Sequence, residues 1–347
     1  MPNLSLRERK RATPISVAIN TDYQAEIPGA FFRSLFLKMS GTAAASGAGT
    51  NALDGPFGLL GRVEWTLGNQ PLIGLQGSDI RHLAAFIAGG HAEILPPSIS
   101  NGAAYLAQVE LPLDRLVPGG GIDARVQDFV ARGRFRGLTN LGTTVTAIST
   151  GKLRVSGETD DRGADADHLE PRWSQRAVDT ATASAELSTT YRVGNDLEVL
   201  PAIMIRAFDA SAELSDPNSA RSDGMVREIR VDVERNGKTT EVLRLTWGEA
   251  KLQSTSRYGV NAASGQISTG VVLLTLDDPA TPQIDDALIL RKGDNVVVRL
   301  DTAATVEDEF SALTPGAGDL AMVTFLSHIP KGAGVNRVRR MLAARGL

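Results

Sequence analysis

The sequence contains no cysteine and only four histidines in 347 residues. The lack of cysteine excludes disulfide bonds, thiolate metal sites and a cysteine nucleophile. A zinc site or a catalytic triad would need histidine, but the four histidines lie far apart in unrelated sequence contexts. We therefore expect ordinary surface or core positions for His82, His91, His168 and His328.

Long apolar segments and aromatic residues are also scarce. No part of the sequence approaches the roughly 18 consecutive apolar residues that a membrane-spanning helix needs. Residues 1–14 are charged and lack the apolar segment of a signal peptide. Aromatic residues make up 5% of the chain, too few for the aromatic and arginine strands of an RNA-binding surface. We expect neither an integral membrane protein nor an exported one.

Charge is distributed unevenly behind a net value of −4. Residues 1–11 carry +3 and residues 331–347 carry +5, which leaves −12 on the rest of the chain. Basic ends attract polyanions such as anionic lipid, whereas the acidic body repels phosphate, so we expect no sequence-specific nucleic-acid binding. Solvated, frayed termini are the alternative. The candidate membrane- or genome-facing residues are Arg7, Arg9, Lys10, Arg11, Lys331, Arg337, Arg339, Arg340 and Arg345.

The remaining pattern is that of β-strands and turns. Apolar and polar residues alternate in Val63–Leu67 and Ile229–Val233, and the chain has 35 glycines and 16 prolines for turns. Asn236-Gly237 predicts a hairpin, and Lys292–Asn295 predicts another. These signals favour an all-β protein of sandwiches or barrels with a few short helices. The predicted helices are Asp79–Ala88, Val126–Arg132, Glu249–Ser254 and a C-terminal helix capped by Asn336.

The two halves of the chain repeat the same order of an early strand, a variable loop, a hairpin and a short helix. Tyr23 and Tyr191 correspond at an offset of 168 residues, Arg33 and Arg206 at 173, and Trp65 and Val231 at 166. We interpret this as a duplication of a β-domain. The predicted units are a basic arm at 1–14, a first domain at 15–160, a linker or surface loop at 161–184, a second domain at 185–330 and a basic tail or helix at 331–347.

No set of residues has the spacing of a catalytic or cofactor site, so we expect no enzyme, no cofactor and no metal. The carboxylates of Asp160–Asp167 suit calcium, but their spacing differs from an EF-hand loop and favours a solvated acidic loop. Trp65 is predicted to be a core residue. Trp173 and Trp247 leave a second function open, in which they line a glycan cleft of a carbohydrate-binding or carbohydrate-cleaving sandwich pair.

One stretch carries a family resemblance. The hairpin Arg-Val-Glu-Trp-Thr-Leu-Gly-Asn-Gln-Pro-Leu-Ile and the following Leu-Gln-Gly-Ser-Asp-Ile-Arg-His-Leu lie at 62–83, and a looser copy lies at 227–254. In a duplicated β-protein these segments resemble the double jelly-roll major capsid proteins of tailless icosahedral bacteriophages with an internal membrane, the adenovirus-hexon-like lineage. The chain departs from that family in its short first loop and in having an Asn-Gly turn only in the second copy.

The resemblance implies two tandem eight-stranded jelly-roll sandwiches. It further implies a viral structural protein of the virion, assembled in the host cytoplasm as pseudo-hexameric homotrimers that tile an icosahedral shell. The implied partners are other copies of the chain, neighbouring capsomers, penton or minor capsid proteins, and the anionic lipid of an internal membrane beside the basic termini. A minor vertex or spike protein of the same virus type is the nearest alternative.

Overall fold

The computed structural model describes residues 8–46, 54–87, 93–94, 102–142, 144–160, 167–182, 185–209, 223–258, 270–276, 287–302, 319–332 and 334–344. Strands dominate these residues and helices are short insertions. The strands form three sheets with seven, ten and four members. The all-β prediction is therefore confirmed.

The first half of the chain builds a two-sheet sandwich. One sheet has the strand order β1-β11-β4-β8-β7, with β2 pairing β11 and β9 pairing β4; the facing strands run β3-β10-β5-β6. Large side chains such as Phe32, Trp65 and Phe129 fill the space between the sheets and are fully buried. The strands are β1 (Arg9–Arg11), β2 (Ile15–Ser16), β3 (Asp22–Ile27), β4 (Phe31–Ala45), β5 (Leu60–Leu67), β6 (Gln70–Gln76), β7 (Glu93–Ile94), β8 (Ala103–Pro112), β9 (Ile122–Asp123), β10 (Phe129–Phe135) and β11 (Val145–Thr159).

The second half repeats this sandwich. Its sheets have the orders β12-β21-β15-β18 and β13-β20-β16-β17, and β14 pairs with β19 and β21. Strand by strand, these orders match β1-β11-β4-β8 and β3-β10-β5-β6, so the chain contains the same eight-stranded jelly roll twice. The strands are β12 (His168–Asp179), β13 (Glu186–Arg192), β14 (Leu197–Leu200), β15 (Ala202–Asp209), β16 (Val226–Arg235), β17 (Lys238–Thr246), β18 (Val271–Thr275), β19 (Leu288–Arg291), β20 (Asn295–Thr302) and β21 (Asp319–Lys331).

The described residues contain four α-helices: α1 (Gly77–Ile87), α2 (Leu113–Leu116), α3 (Trp247–Tyr258) and α4 (Gly334–Ala344). Helices α1 and α3 each follow the hairpin of their repeat, as predicted. The C-terminal helix is confirmed too, although it begins at Gly334 rather than after Asn336. The predicted helix Val126–Arg132 is wrong, because Phe129 onwards pairs with β3 and β5 as strand β10.

The two hairpin predictions have different outcomes. Asn236 and Gly237 have φ angles of 50° and 75°, which are the left-handed conformations that a tight two-residue hairpin requires. They join the paired strands β16 and β17 as predicted. The turn at Lys292–Asn295 does not close a hairpin, because β19 pairs with β14 while β20 pairs with β13 and β16 in another sheet.

The predicted linker at 161–184 is wrong over half of its length. Residues His168–Asp179 form β12, which pairs with β21 along twelve consecutive residues. In the strand order, β12 takes the place that β1 and β2 hold in the first repeat. The second jelly roll therefore begins at residue 168, inside the segment whose polar composition suggested a loop.

Each hairpin carries the same irregularity. Leu72 is skipped in the pairing of β5 with β6, and Val242 is skipped in the pairing of β16 with β17. Each is a β-bulge beside a matched pair, Trp65 with Ile73 in one repeat and Val231 with Leu243 in the other. The equivalence of Trp65 and Val231 predicted from the sequence is thus confirmed by the register.

Candidate functional site

The two jelly rolls share a junction, which we define as the contact of β6 and α1 with β12, β15, β18 and β21. Strand β12 pairs in parallel with β6 at Trp173 and Ile73, so one ten-stranded sheet runs through both repeats. Helix α1 contacts β18. The outer sheet face of the second repeat joins the core of the first through Trp173, Ala202, Met204, Val271, Leu273 and Leu326.

A buried ion pair lies in this junction. Arg206 of β15 donates to Asp79 of α1 at 2.6 Å, and both side chains are fully buried. Gln175 of β12 donates to the second oxygen of Asp79 at 2.6 Å and to Thr324 at 3.1 Å. Gln76 accepts a further bond from Arg206 at 3.0 Å. In the sequence Arg206 stands out only as a repeat position, because nothing there links it to an acid 127 residues away.

The N-terminal basic residues lie on an edge strand. Strand β1 pairs with the end of β11, and the Arg9 guanidinium stacks 3.8 Å from the ring centroid of Phe36. Lys10 forms an exposed ion pair with Glu8 at 3.0 Å. Arg9 and Arg11 line a groove of about 430 Å³ on the outer face of the seven-stranded sheet. Besides these two arginines, the basic side chains that line it are Lys38 and Arg154.

The C-terminal basic residues lie on α4. Val338 and Leu342 are buried in a small cluster with Val117, Leu169, Val199, Ala287 and Ile289, which docks the helix on the protein. Its other face exposes Arg337, Arg339 and Arg340. Lys331 differs from them, since it lies 3.4 Å from the buried carboxylate of Glu170. Arg7 and Arg345 lie outside the described residues.

Both basic ends lie at the same end of the molecule. The N–H of Thr159 donates to the carbonyl of Glu8 at 2.8 Å, and that of the next residue donates to the carbonyl of Phe31 at 3.1 Å. The ring of Phe31 is 5.4 Å from that of His168, which pairs with Lys331 just before α4. The structure therefore brings together two charged segments that are more than 300 residues apart in the sequence.

The other sequence candidates have clear positions. Trp65 is fully buried as predicted, and Trp173 and Trp247 are also core residues with 3% and 2% exposure. They form no platform on which a sugar can stack. Among the described residues, no group of three or more acids or histidines is arranged to hold a metal ion. Asp161 and Asp165 of the acidic loop lie outside those residues.

Three of the four histidines lie in the described ranges. His82 is buried against Asp54 at 3.0 Å, and His328 is fully buried beside Trp173. His168 contacts Phe31, and His91 lies outside the described residues. Within the described ranges, no helix has the length and apolar character needed to span a membrane.

Two eight-stranded jelly rolls in one chain define the class of double jelly-roll proteins, and solved structures of viral proteins have the same fold. A chain of the atomic structure of Sulfolobus Turreted Icosahedral Virus matches with a TM-score of 0.68 and 12% identity over 97% of both chains. VP54 of the virus PBCV-1 matches with a TM-score of 0.61 and 13% sequence identity, over 96% of this chain and 97% of that one. The major capsid protein P2 from bacteriophage PM2 matches with a TM-score of 0.54 and 11% sequence identity, over 94% of this chain and 98% of that one.

These similarities establish the fold. No family model matches the sequence, and the search of curated proteins finds no match. The resemblance first seen in the hairpin at 62–83 is therefore confirmed at the level of the double jelly roll along nearly the whole chain. The bacteriophage origin that it implies stays a prediction, since the similar structures come from different kinds of virus.

Proposed function

We propose that this chain is a viral major capsid protein that assembles as pseudo-hexameric homotrimers and tiles an icosahedral shell over a membrane. The observation that carries the proposal is the duplicated jelly roll joined side by side within one chain. Three such chains around a three-fold axis place six similar sandwiches in a ring. The role is structural, in the virion, and it requires neither a catalytic group nor a cofactor. The similar capsid proteins support it.

The oligomeric state is the direct test of this proposal. Size-exclusion chromatography with light scattering is expected to give three times the chain mass of 36.8 kDa. Micrographs of purified virions should show six-sided tiles. A protein that stays monomeric at the concentrations reached in an infected cell contradicts the proposal.

We further propose that the end of the molecule that carries β1 and α4 faces anionic lipid. Arg337, Arg339 and Arg340 project from a helix whose apolar face is already packed, so they are free to contact a charged surface. Strand β1, which carries Lys10, lies at the same end of the molecule. Two adjacent segments both carry positive charge. An anionic membrane surface can meet this charge without matching the shape of the protein, whereas an acidic protein partner would have to match that shape.

Replacing Arg337, Arg339 and Arg340 with glutamine is expected to weaken binding to phosphatidylserine vesicles roughly 100-fold at low salt, since each basic residue contributes about 1 kcal/mol. Co-sedimentation measures the change. Glutamine substitution is preferable to truncation, because truncation also removes Val338 and Leu342 from their packed cluster. The trimer should persist.

A matched control uses Arg62, Arg132 and Arg134, whose side chains are 57%, 56% and 65% exposed away from the two termini. Replacing these three with glutamine removes the same net charge and should leave vesicle binding nearly unchanged. Equal loss in both triple variants would show a dependence on total charge and contradict a lipid-facing end.

A minor vertex or spike role remains the nearest alternative within the same class of proteins. Copy number in purified particles separates the two, since a shell protein is the most abundant chain. The carbohydrate function loses its main support because Trp173 and Trp247 are buried.

A further inference from the structure

The junction inside the chain is a contact between unlike surfaces. The first repeat contributes the edge of β6 and helix α1, and the second contributes β12 and the outer faces of β15, β18 and β21. Because the repeats share one strand order, the second repeat has its own copy of the surface that β6 and α1 form. The first repeat likewise has its own copy of the surface that β12, β15, β18 and β21 form. A contact between unlike surfaces can be repeated head to tail until a ring closes.

In the described part of the chain, no further strand pairs with the edge of either counterpart surface. Strand β17 corresponds to β6 and is the edge of the four-stranded sheet. At the other side, β1 and β2 correspond to β12 and lie at the edge of the seven-stranded sheet. The first of these surfaces consists of β17 and α3, and the second of the outer face of β1, β11, β4 and β8.

Exposed apolar side chains mark the same two surfaces. The described residues expose four large hydrophobic side chains: Leu106, Val126, Val242 and Leu252. Val242 is the bulge residue of β17 and Leu252 lies on α3, where it is 69% exposed. Leu106 lies on the outer face of β8, since its neighbours Tyr105 and Ala107 point into the core. Three of the four therefore lie on the counterpart surfaces.

In the junction within the chain, the residues equivalent to these exposed ones are buried. Leu72, the bulge residue of β6, is 1% exposed and belongs to the buried cluster that Trp173 and Leu326 of the second repeat join. On β18, the strand that corresponds to β8, Val271 and Leu273 point outwards and are fully buried in the junction. Val242 and Leu106 take equivalent places without a cover, which is the expected state of an interface seen in a single copy.

Charge agrees with the apolar pattern. Glu249 is the third residue of α3, as Asp79 is the third residue of α1, and one oxygen of its carboxylate accepts from the N–H and the hydroxyl of Thr246 at 2.8 and 3.0 Å. Asp79 pairs with Arg206 on β15, and β4 is the strand that corresponds to β15. Lys38 of β4 lines the groove on the outer face and provides a cation for an acid on an approaching helix.

We propose that the β17 and α3 surface of one copy packs against the outer face of β4 and β8 of the next copy, with Leu252 near Leu106 and Glu249 near Lys38. The occupant of each surface is a second copy of this chain. The inference rests on the proposed function, because it specifies how the copies of the trimer meet.

The absence of cysteine makes a direct test possible. Leu106→Cys and Leu252→Cys are introduced together into the full chain and treated with a short bifunctional thiol reagent. Because every copy then offers both halves of the contact, denaturing electrophoresis is expected to show covalent dimers and trimers. Each single variant alone should stay monomeric on the gel, and a mixture of the two single variants, after exchange of subunits, should give a dimer.

The control variant is Leu252→Cys with Val126→Cys, since Val126 is 88% exposed and lies on neither surface. It should not form a ladder. A cross-link within one chain, or cross-linking of either single variant alone, overturns the inference. A native trimer whose double variant stays uncross-linked overturns the inference and leaves the proposed function standing, whereas a monomeric unmodified chain overturns both.

A second measurement does not depend on the reagent. Leu252→Asp is expected to shift the light-scattering mass from trimer to monomer while the circular dichroism spectrum is unchanged, because the side chain is exposed in the single copy. Val126→Asp should leave the trimer intact. A trimer that persists in Leu252→Asp contradicts the proposed contact.

Discussion

Replacing Asp79 with alanine is expected to lower the free energy of unfolding by about 3–5 kcal/mol, because the Arg206 guanidinium is left charged and buried without its carboxylate. The pair lies at 2.6 Å with no exposure of either side chain. The bonds from Gln175 to Asp79 and from Arg206 to Gln76 tie it to both repeats. Chemical denaturation followed by circular dichroism measures the loss.

The control for this prediction is an ion pair of similar length on the surface. Arg132 and Glu64 lie 2.6 Å apart with side chains 56% and 22% exposed. Glu64→Ala is expected to cost less than about 1 kcal/mol, because water solvates the remaining arginine. The double variant Asp79→Leu with Arg206→Met should recover part of the loss, since it removes both buried charges. Equal effects of Asp79→Ala and Glu64→Ala would contradict the role of burial.

Acid is expected to destabilise the fold through His328. Burial lowers the pKa of this histidine from 6.5 to about 3, so the folded state holds the neutral ring. The unfolded chain binds the proton below pH 6.5, and stability is therefore lost as the pH falls from 6.5 towards 3. Between about pH 7 and about pH 4.5 the loss from this residue alone is about 2.5 kcal/mol.

Comparison with His328→Phe isolates this effect from other acid-titrating groups. The substitution keeps an aromatic ring beside Trp173 and has no proton to bind. Unfolding free energies of both proteins are measured across the pH range. The difference between them should grow by the stated amount on acidification. Parallel curves would show that His328 does not titrate on unfolding.

Where side chains alternate in the sequence, the fold was predictable. The strand at Val63–Leu67 and the Asn236-Gly237 hairpin follow from local pattern and turn chemistry, since both depend on neighbouring residues. The duplication followed from order and spacing. Local pattern also placed the helices that follow each hairpin, although their first residues differ from the predicted ones.

Strand β12 was missed for a physical reason. It carries Glu170, Arg172 and Gln175, which give it the composition of a loop. In the structure these polar groups are satisfied, because Arg172 bonds Glu170 at 2.7 Å and Gln175 bonds Asp79 at 2.6 Å. One face of the strand belongs to the second jelly roll and the other to the junction, so simple alternation is absent. Contacts across repeats leave no local signal in the sequence.

The candidate site was predictable in charge but not in geometry. The basic ends were visible as runs of arginine, yet their meeting at one end depends on pairings such as β1 with β11 and β12 with β21. The exposure of Leu106 and Leu252 was not predictable either, because the sequence does not show whether an apolar residue is covered. Only comparison of the two repeats indicates a missing partner, since exposed Val242 corresponds to buried Leu72.

The ten-stranded sheet also determines the order in which the protein can finish folding. The edge of β6 receives its partner only when β12 is made, about 100 residues later in synthesis, so the first jelly roll emerges with an open apolar edge. An unpaired strand edge is a template for wrong pairing. The second sandwich therefore completes an edge of the first during biogenesis, rather than following it as a separate module.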